Sequence, residues 1–251
     1  MSGRCNYLVR MAFCGAAYSG FQVQKNAPTV CAVFQDALEQ VYGERLSVKG
    51  CSRTDAGVHA REFCISFFAP DKITPEKLPL ALNRNLPEDI RAYEARRVPD
   101  GFHARYSALG KEYVYVILNS AVEDVFAAGL SYRVAGVLDV KAMQEAAGHF
   151  VGRHDFAAFM AAGSSVEDTV RTVTKAAVEC EGNRLEFTVA ADGFLYNMVR
   201  IMAGTLLCVG RGKMEVCELP GVLASCNRER AGETLPARGL FLNRVFYPQE
   251  G

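Results

Sequence analysis

No apolar run in this 251-residue chain reaches the roughly 20 residues that a bilayer-spanning helix needs, so a membrane protein is not expected. The segment Met1 to Tyr7 lacks the basic-then-apolar pattern of an export signal, and a soluble cytoplasmic protein is the expectation. The nine cysteines include no C-x-x-C pair, which removes the commonest zinc spacing. Their number is odd, and reduced, mostly buried thiols fit better than a disulfide framework. Formal net charge is also lacking, at +0, so no uniformly basic coat marks the chain as a polyanion binder.

The charge that is present is uneven. Residues 1–111 hold 15 Lys and Arg against 11 Asp and Glu, and residues 112–251 hold 13 against 17. Polyanion binding depends on local rather than total charge, and the arginines of the first half suit phosphate forks and base stacking. Hydrophobic residues make up 50% of the chain, enough to fill a large core in one or two domains.

Periodicity predicts the elements. Tyr7 to Phe13 alternates as a strand. Thr29 to Tyr42 is amphipathic and ends at Gly43, which predicts a helix. Arg45 to Lys49 and Phe63 to Phe68 predict strands on either side of a polar loop, and Thr74-Pro75 starts a second helix. Ile90 to Val98 alternates again, completing a β-α-β-β-α-β order. The second half repeats this logic without a sequence repeat. It has a strand at Glu112 to Leu118 and a helix at Asp139 to Phe150. A hairpin follows at Val170 to Glu179 and Arg184 to Ala191, then a helix at Phe194 to Val209 and a strand at Gly239 to Phe246. The expected fold is α+β. Two ferredoxin-like (RRM-like) halves, residues 1–106 and 107–251, form a largely antiparallel mixed sheet with helices on one face and an active-site cleft between the halves.

The loop Gly50-Cys51-Ser52-Arg53-Thr54-Asp55-Ala56-Gly57-Val58-His59-Ala60 sets one carboxylate between an arginine and a glycine turn. A carboxylate held on a loop by a rigid sheet can serve as a nucleophile or base. Taken alone, Asp55 reads more readily as a turn or cap residue than as a catalyst. His59 and His103 read as structural hydrogen-bonders, Tyr113 and Tyr115 as packing, and Arg200 as a snorkelling or paired cation.

Together these residues follow the order of a known pattern. Tyr18-Ser19-Gly20-Phe21-Gln22, Arg53-Thr54-Asp55-Ala56-Gly57-Val58-His59, Asn83-Arg84-Asn85-Leu86-Pro87 and Phe102-His103-Ala104-Arg105-Tyr106 occur in the first half. Lys111-Glu112-Tyr113-Val114-Tyr115, His154-Asp155-Phe156, Val170-Arg171-Thr172, Phe194-Leu195-Tyr196-Asn197-Met198-Val199-Arg200 and Gly239-Leu240-Phe241-Leu242 follow. The whole chain resembles the TruA family of tRNA pseudouridine synthases. The resemblance implies a cofactor-free, metal-free isomerase that detaches uracil from C1′ of a tRNA uridine and reattaches it through C5. It implies uridines at positions 38 to 40 of the anticodon arm, extruded from their stem, and a homodimer.

Carried over residue by residue, the resemblance makes Asp55 the nucleophile or base and Arg200 the cation that keeps it ionised. Tyr113 stacks on the target uracil and takes part in the proton step, Leu240 walls the pocket, and Arg53 fills the space the flipped base leaves. Gln22, His59 and Arg105 are expected to contact substrate or RNA, and Lys25 phosphates. Two departures stand out: Val23 replaces a frequent arginine, and Arg61-Glu62-Phe63 replaces a frequent Gly-Gln pair. They raise the expectation of an altered site preference. A non-catalytic RNA-binding module is the main competing reading, and a carboxylate facing a polyanion argues against it. A nucleoside hydrolase would need two carboxylates at a set spacing, and only one candidate is found.

Overall fold

A computed structural model describes residues 3–163 and 166–248. The chain forms two compact units. One runs up to Leu109 and includes the segment from Leu242 onward, and the other spans Gly110–Phe241.

In the first unit, β1 (Arg4–Phe13) is followed by α1 (Val30–Tyr42), β2 (Val48–Gly50) and β3 (His59–Pro70). Then come α2 (Leu78–Asn83) and β4 (Ile90–Val98). This is the expected order. β1 lies between β4 and β3, antiparallel to both, and β2 is antiparallel to β3. The caps of α1 follow from the sequence. The Thr29 hydroxyl accepts from Ala32 N–H, and Gly43 takes the left-handed conformation (φ 76°) that closes the last turn.

Alternation along β1 and β3 fills both faces of this sheet. Tyr7, Val9 and Met11 with Phe63, Ile65 and Phe67 form the buried aromatic layer, where Phe67 meets Phe34 of α1 edge-on. On the other face the segment after β4 closes over the sheet. Asn6 donates to the carbonyls of Pro99 and Phe102 at 3.0 and 2.9 Å. The Ser66 hydroxyl accepts from Ala104 N–H, and Tyr247 donates to Ala104 O at 2.7 Å.

In the second unit, β5 (Gly110–Asn119), β6 (Tyr132–Val134), α3 (Val140–Gly148), β7 (Gly152–Asp155), β8 (Val170–Glu181), β9 (Arg184–Ala191), α4 (Met198–Gly210) and α5 (Leu219–Ser225) follow in turn. The sheet order is β5-β9-β8-β7, antiparallel throughout, with β6 parallel to β5. Helices α3 and α4 pack together over β8 and β5. β6, β7 and α5 are additions to the expected pattern.

The last strand, β10 (Leu240–Phe246), departs from the expected 106/107 division. Only Leu240 and Phe241 group with the second unit, and the rest joins the first. The reason is its pairing with β3. Val245 N–H donates to the Glu62 carboxylate at 2.9 Å, Arg61 donates to Asn243 at 3.2 Å, and Leu109 N–H reaches Phe246 O at 2.8 Å. Arg61 and Glu62, noted above as departures, therefore anchor this strand, and Phe63 is core.

Candidate active site

The loop carrying Asp55 is clamped by backbone. Between β2 and β3, Cys51 N–H donates to Cys64 O at 2.8 Å, and Cys64 N–H returns to the Cys51 sulfur at 3.3 Å. The Tyr18–Phe21 segment then grips the loop on both sides of Asp55. Phe21 N–H donates to Thr54 O, and Gly57 N–H donates to Tyr18 O, both at 3.2 Å. Val58 N–H closes the turn back on Asp55 O.

Two glycines make this grip possible. Gly20 has φ 84°, and a Cβ there would lie 2.4 Å from Thr54 O. A Cβ on Gly15 would lie 2.0 Å from Val58 O. The Tyr18 hydroxyl donates to Asp89 at 2.8 Å and ties the clamp to the start of β4. Thr54 is buried, Asp55 half-buried, and Arg53 and Gln22 are exposed.

His59, expected among the RNA contacts, is turned inward. It is 1% exposed, and its Nδ1 accepts from Gly15 N–H at 3.0 Å, so it braces the clamp. The neutral ring with hydrogen on Nε2 is the form that can accept there.

The second unit holds Tyr113, Leu240 and Arg200. Tyr113 sits on β5, buried, with Phe194 edge-on at 5.0 Å. Arg200, in the first turn of α4, donates through Nε to Leu235 O and through Nη1 to Asn197 Oδ1, both at 2.6 Å. Asn197 is itself left-handed, with φ 60°. The Leu235 strand of chain rests on α4 because Gly204 lets it approach: a Cβ at Gly204 would lie 2.0 Å from Glu233 O. Thr205 fastens the same crossing by accepting from Gly232 N–H at 2.8 Å.

Tyr115 extends this frame, its hydroxyl donating to Pro236 O at 2.7 Å. Burial pushes that hydroxyl's pKa up, against the pull of Arg200 and Arg238, so it stays a donor. Gly239 passes over the Tyr115 ring just before Leu240, where a Cβ would come within 2.8 Å. Gly20, Gly204, Asn197 and Tyr115 thus hold the expected site residues. Gly20, Tyr115 and Asn197 stand inside the matched strings without any mark of a supporting role, and Gly204 shows only as a glycine in a helical stretch.

Other matched strings are scaffold. Asn83 exchanges two hydrogen bonds with the backbone of Ala92, locking α2 to β4. Asp155 caps the turn at Ala157 and accepts from Thr169, which holds its carboxyl below the usual range. Among the described residues, no group of three His, Cys, Asp or Glu side chains is placed to hold a metal ion. Among the described residues, no helix is long and apolar enough to cross a membrane.

The sequence model of the tRNA pseudouridine synthase family matches residues 10–107 and 146–248. Among curated relatives, tRNA pseudouridine synthase A of Ruminiclostridium cellulolyticum is 47% identical over 93% of this chain and 96% of its own. The proteins of the same name from Moorella thermoacetica and Acetivibrio thermocellus are 48% and 45% identical. They align over 95% and 93% of this chain and 98% and 96% of their own. The chain belongs to the tRNA pseudouridine synthase family.

Proposed function

We propose that this chain isomerises uridine to pseudouridine in tRNA, at the anticodon-arm positions named above, with Asp55 as the reacting carboxylate. The observation that carries this reading is the clamped loop, which presents one carboxylate with its backbone held on both sides. The net chemistry balances without a cofactor. The N1–C1′ bond breaks and a C5–C1′ bond forms, while C5 gives up its proton and N1 gains one.

Asp55 attacks the sugar or base, or removes a sugar proton. Arg200 favours its ionised form. Tyr113 stacks on the uracil and serves the proton step at C5. Leu240 keeps water from a detached base. Arg53, exposed beside Asp55, fills the gap left by the extruded nucleotide. Asp55 and Arg53 belong to the first unit, and Tyr113, Arg200 and Leu240 to the second. A cytoplasmic location, where a tRNA substrate is met, belongs to the same reading.

A homodimer is part of the same reading. Val122, Val125 and Phe126 stand 74%, 77% and 92% exposed in the connection between β5 and β6, an apolar stretch suited to a second copy.

The test is tritium release from C5-labelled uridine in an anticodon stem-loop RNA. The parent protein should release label and Asp55→Ala should not. Equal release by both would remove Asp55 from the reaction, and no release by the parent would favour the RNA-binding module.

A further inference from the structure

Tyr106 lies outside everything assigned above. It is 78% exposed, on the turn after β4. Exposed aromatic rings are common, but this one is built in. Its ring packs on His103 with centroids 4.4 Å apart, and the Arg105 guanidinium lies 5.8 Å from its centre.

The turn beneath it is over-determined. Ser107 N–H donates to His103 O, and His103 N–H donates to the Ser107 hydroxyl. The amides of Arg105 and Tyr106 both reach His103 Nδ1, at 3.1 and 3.4 Å. Ala104 is fixed at both ends, by Ser66 and Tyr247. Six hydrogen bonds thus hold a turn whose outermost side chain packs on its turn neighbours His103 and Arg105. Neither core packing nor turn geometry requires an aromatic ring there.

On the His103 side the turn borders a groove of about 360 Å³. It is lined by Lys49, Asn6, Ser47, Phe102 and Asp100, and by Arg4, whose guanidinium is paired with Glu44. A rigid aromatic face next to a guanidinium, with the Lys49 ammonium and Ser47 hydroxyl beyond and a single carboxylate, Asp100, in the same groove, is an arrangement that can receive an unpaired nucleotide.

We propose that Tyr106 is a stacking platform for an unpaired base of the RNA substrate, with Arg105 and Lys49 meeting the adjoining phosphates. This rests on the tRNA reading above and adds a contact to it.

The experiment measures binding of an unmodified tRNA transcript at several salt concentrations, and kcat/KM for pseudouridine formation. Stacking of one base is worth roughly tenfold in affinity. Tyr106→Ala should lose about that factor in both binding and kcat/KM. Tyr106→Phe should stay within about twofold, with an unchanged melting temperature in each variant. Arg105→Gln should lower the slope of log affinity against log salt by roughly one. The exposed Leu80→Ala serves as a control and should bind like the parent.

Parental affinity in Tyr106→Ala would overturn the proposal. So would Phe and Ala variants of equal weakness, which would point to the hydroxyl. Loss of self-association in Tyr106→Ala with tRNA affinity intact would make the ring a protein contact and also overturn it. A parent that makes no pseudouridine, yet binds tRNA through Tyr106, would sink the isomerase reading and leave the platform standing.

Discussion

Asp55 and Arg200 are held in opposite ways. Around Asp55 the constraints are main-chain hydrogen bonds to the Tyr18–Phe21 segment and the bare Cα atoms of Gly15 and Gly20. Around Arg200 they act on the side chain itself, through Leu235 O and Asn197 Oδ1. A backbone clamp fixes where a short side chain starts. A long guanidinium needs its far end fixed, because its rotamer freedom would otherwise spread the charge over several positions. The two regions should therefore respond to different kinds of substitution.

The largest stability effect is expected at Gly204. A Cβ there would meet the Glu233 carbonyl, a backbone atom that cannot rotate away. Gly204→Ala should cost about 3 kcal/mol in chemical denaturation. Fully parental stability would mean that the Leu235 segment is free to shift, and that the account of how Arg200 is anchored is wrong.

Next is Gly20→Ala. Positive φ and the contact with Thr54 O together make roughly 2 kcal/mol of strain, which moves the peptide preceding Asp55. Displacement of a reacting group by an ångström can cost on the order of a hundredfold in turnover. The expected result is a large fall in kcat with tRNA affinity kept. Affinity falling in step with kcat would show that the clamp shapes an RNA surface instead.

Asn197→Gly probes the other region and keeps the left-handed backbone. It removes the amide oxygen from Arg200 and should lower kcat about tenfold, the scale of one hydrogen bond to a charged group. KM should hold. Unchanged turnover would make Leu235 O sufficient to aim the guanidinium.

The smallest effect concerns pH. Burial, then the charges of Lys49 and Arg105, depress the His103 pKa below its ordinary 6.5. A depressed basic group stabilises the fold above its unfolded pKa and loses that contribution as pH falls through the lower folded value. The Arg105–Tyr106 turn should therefore be intact at neutral pH and loosen in mild acid. An NMR titration of the His103 ring checks this, and a midpoint above 6.5 would contradict it.

Much of the scaffold was legible in the sequence, for local reasons. α1 carries a full amphipathic period with a threonine cap and a glycine stop, and β4 alternates in its first residues, Ile90 to Tyr93. β6 and β7, three and four residues long, are too short to show a period. α5 contains Pro220 and Gly221, which read as a break; Pro220 is tolerated because it falls in the first turn. The grouping of β10 with the first unit rests on pairing with a strand some 180 residues earlier in the chain, which no local signal reveals.

The site divides the same way. Asp55, Tyr113, Arg200 and Leu240 stood out through resemblance. Their supports did not, because Gly20, Gly204 and Asn197 act through backbone conformation and close approach. His59 carried two readings, and its acceptance of the Gly15 amide agrees with the structural one, although a histidine in a polar loop gives no sign of which amide it will meet.

The most direct test of the central claim is a pseudouridine map of tRNAs incubated with parent and with Asp55→Ala protein, at concentrations where both bind tRNA fully. The account expects pseudouridine in the anticodon arm with the parent and none with the variant. The same modified positions appearing with Asp55→Ala would contradict it.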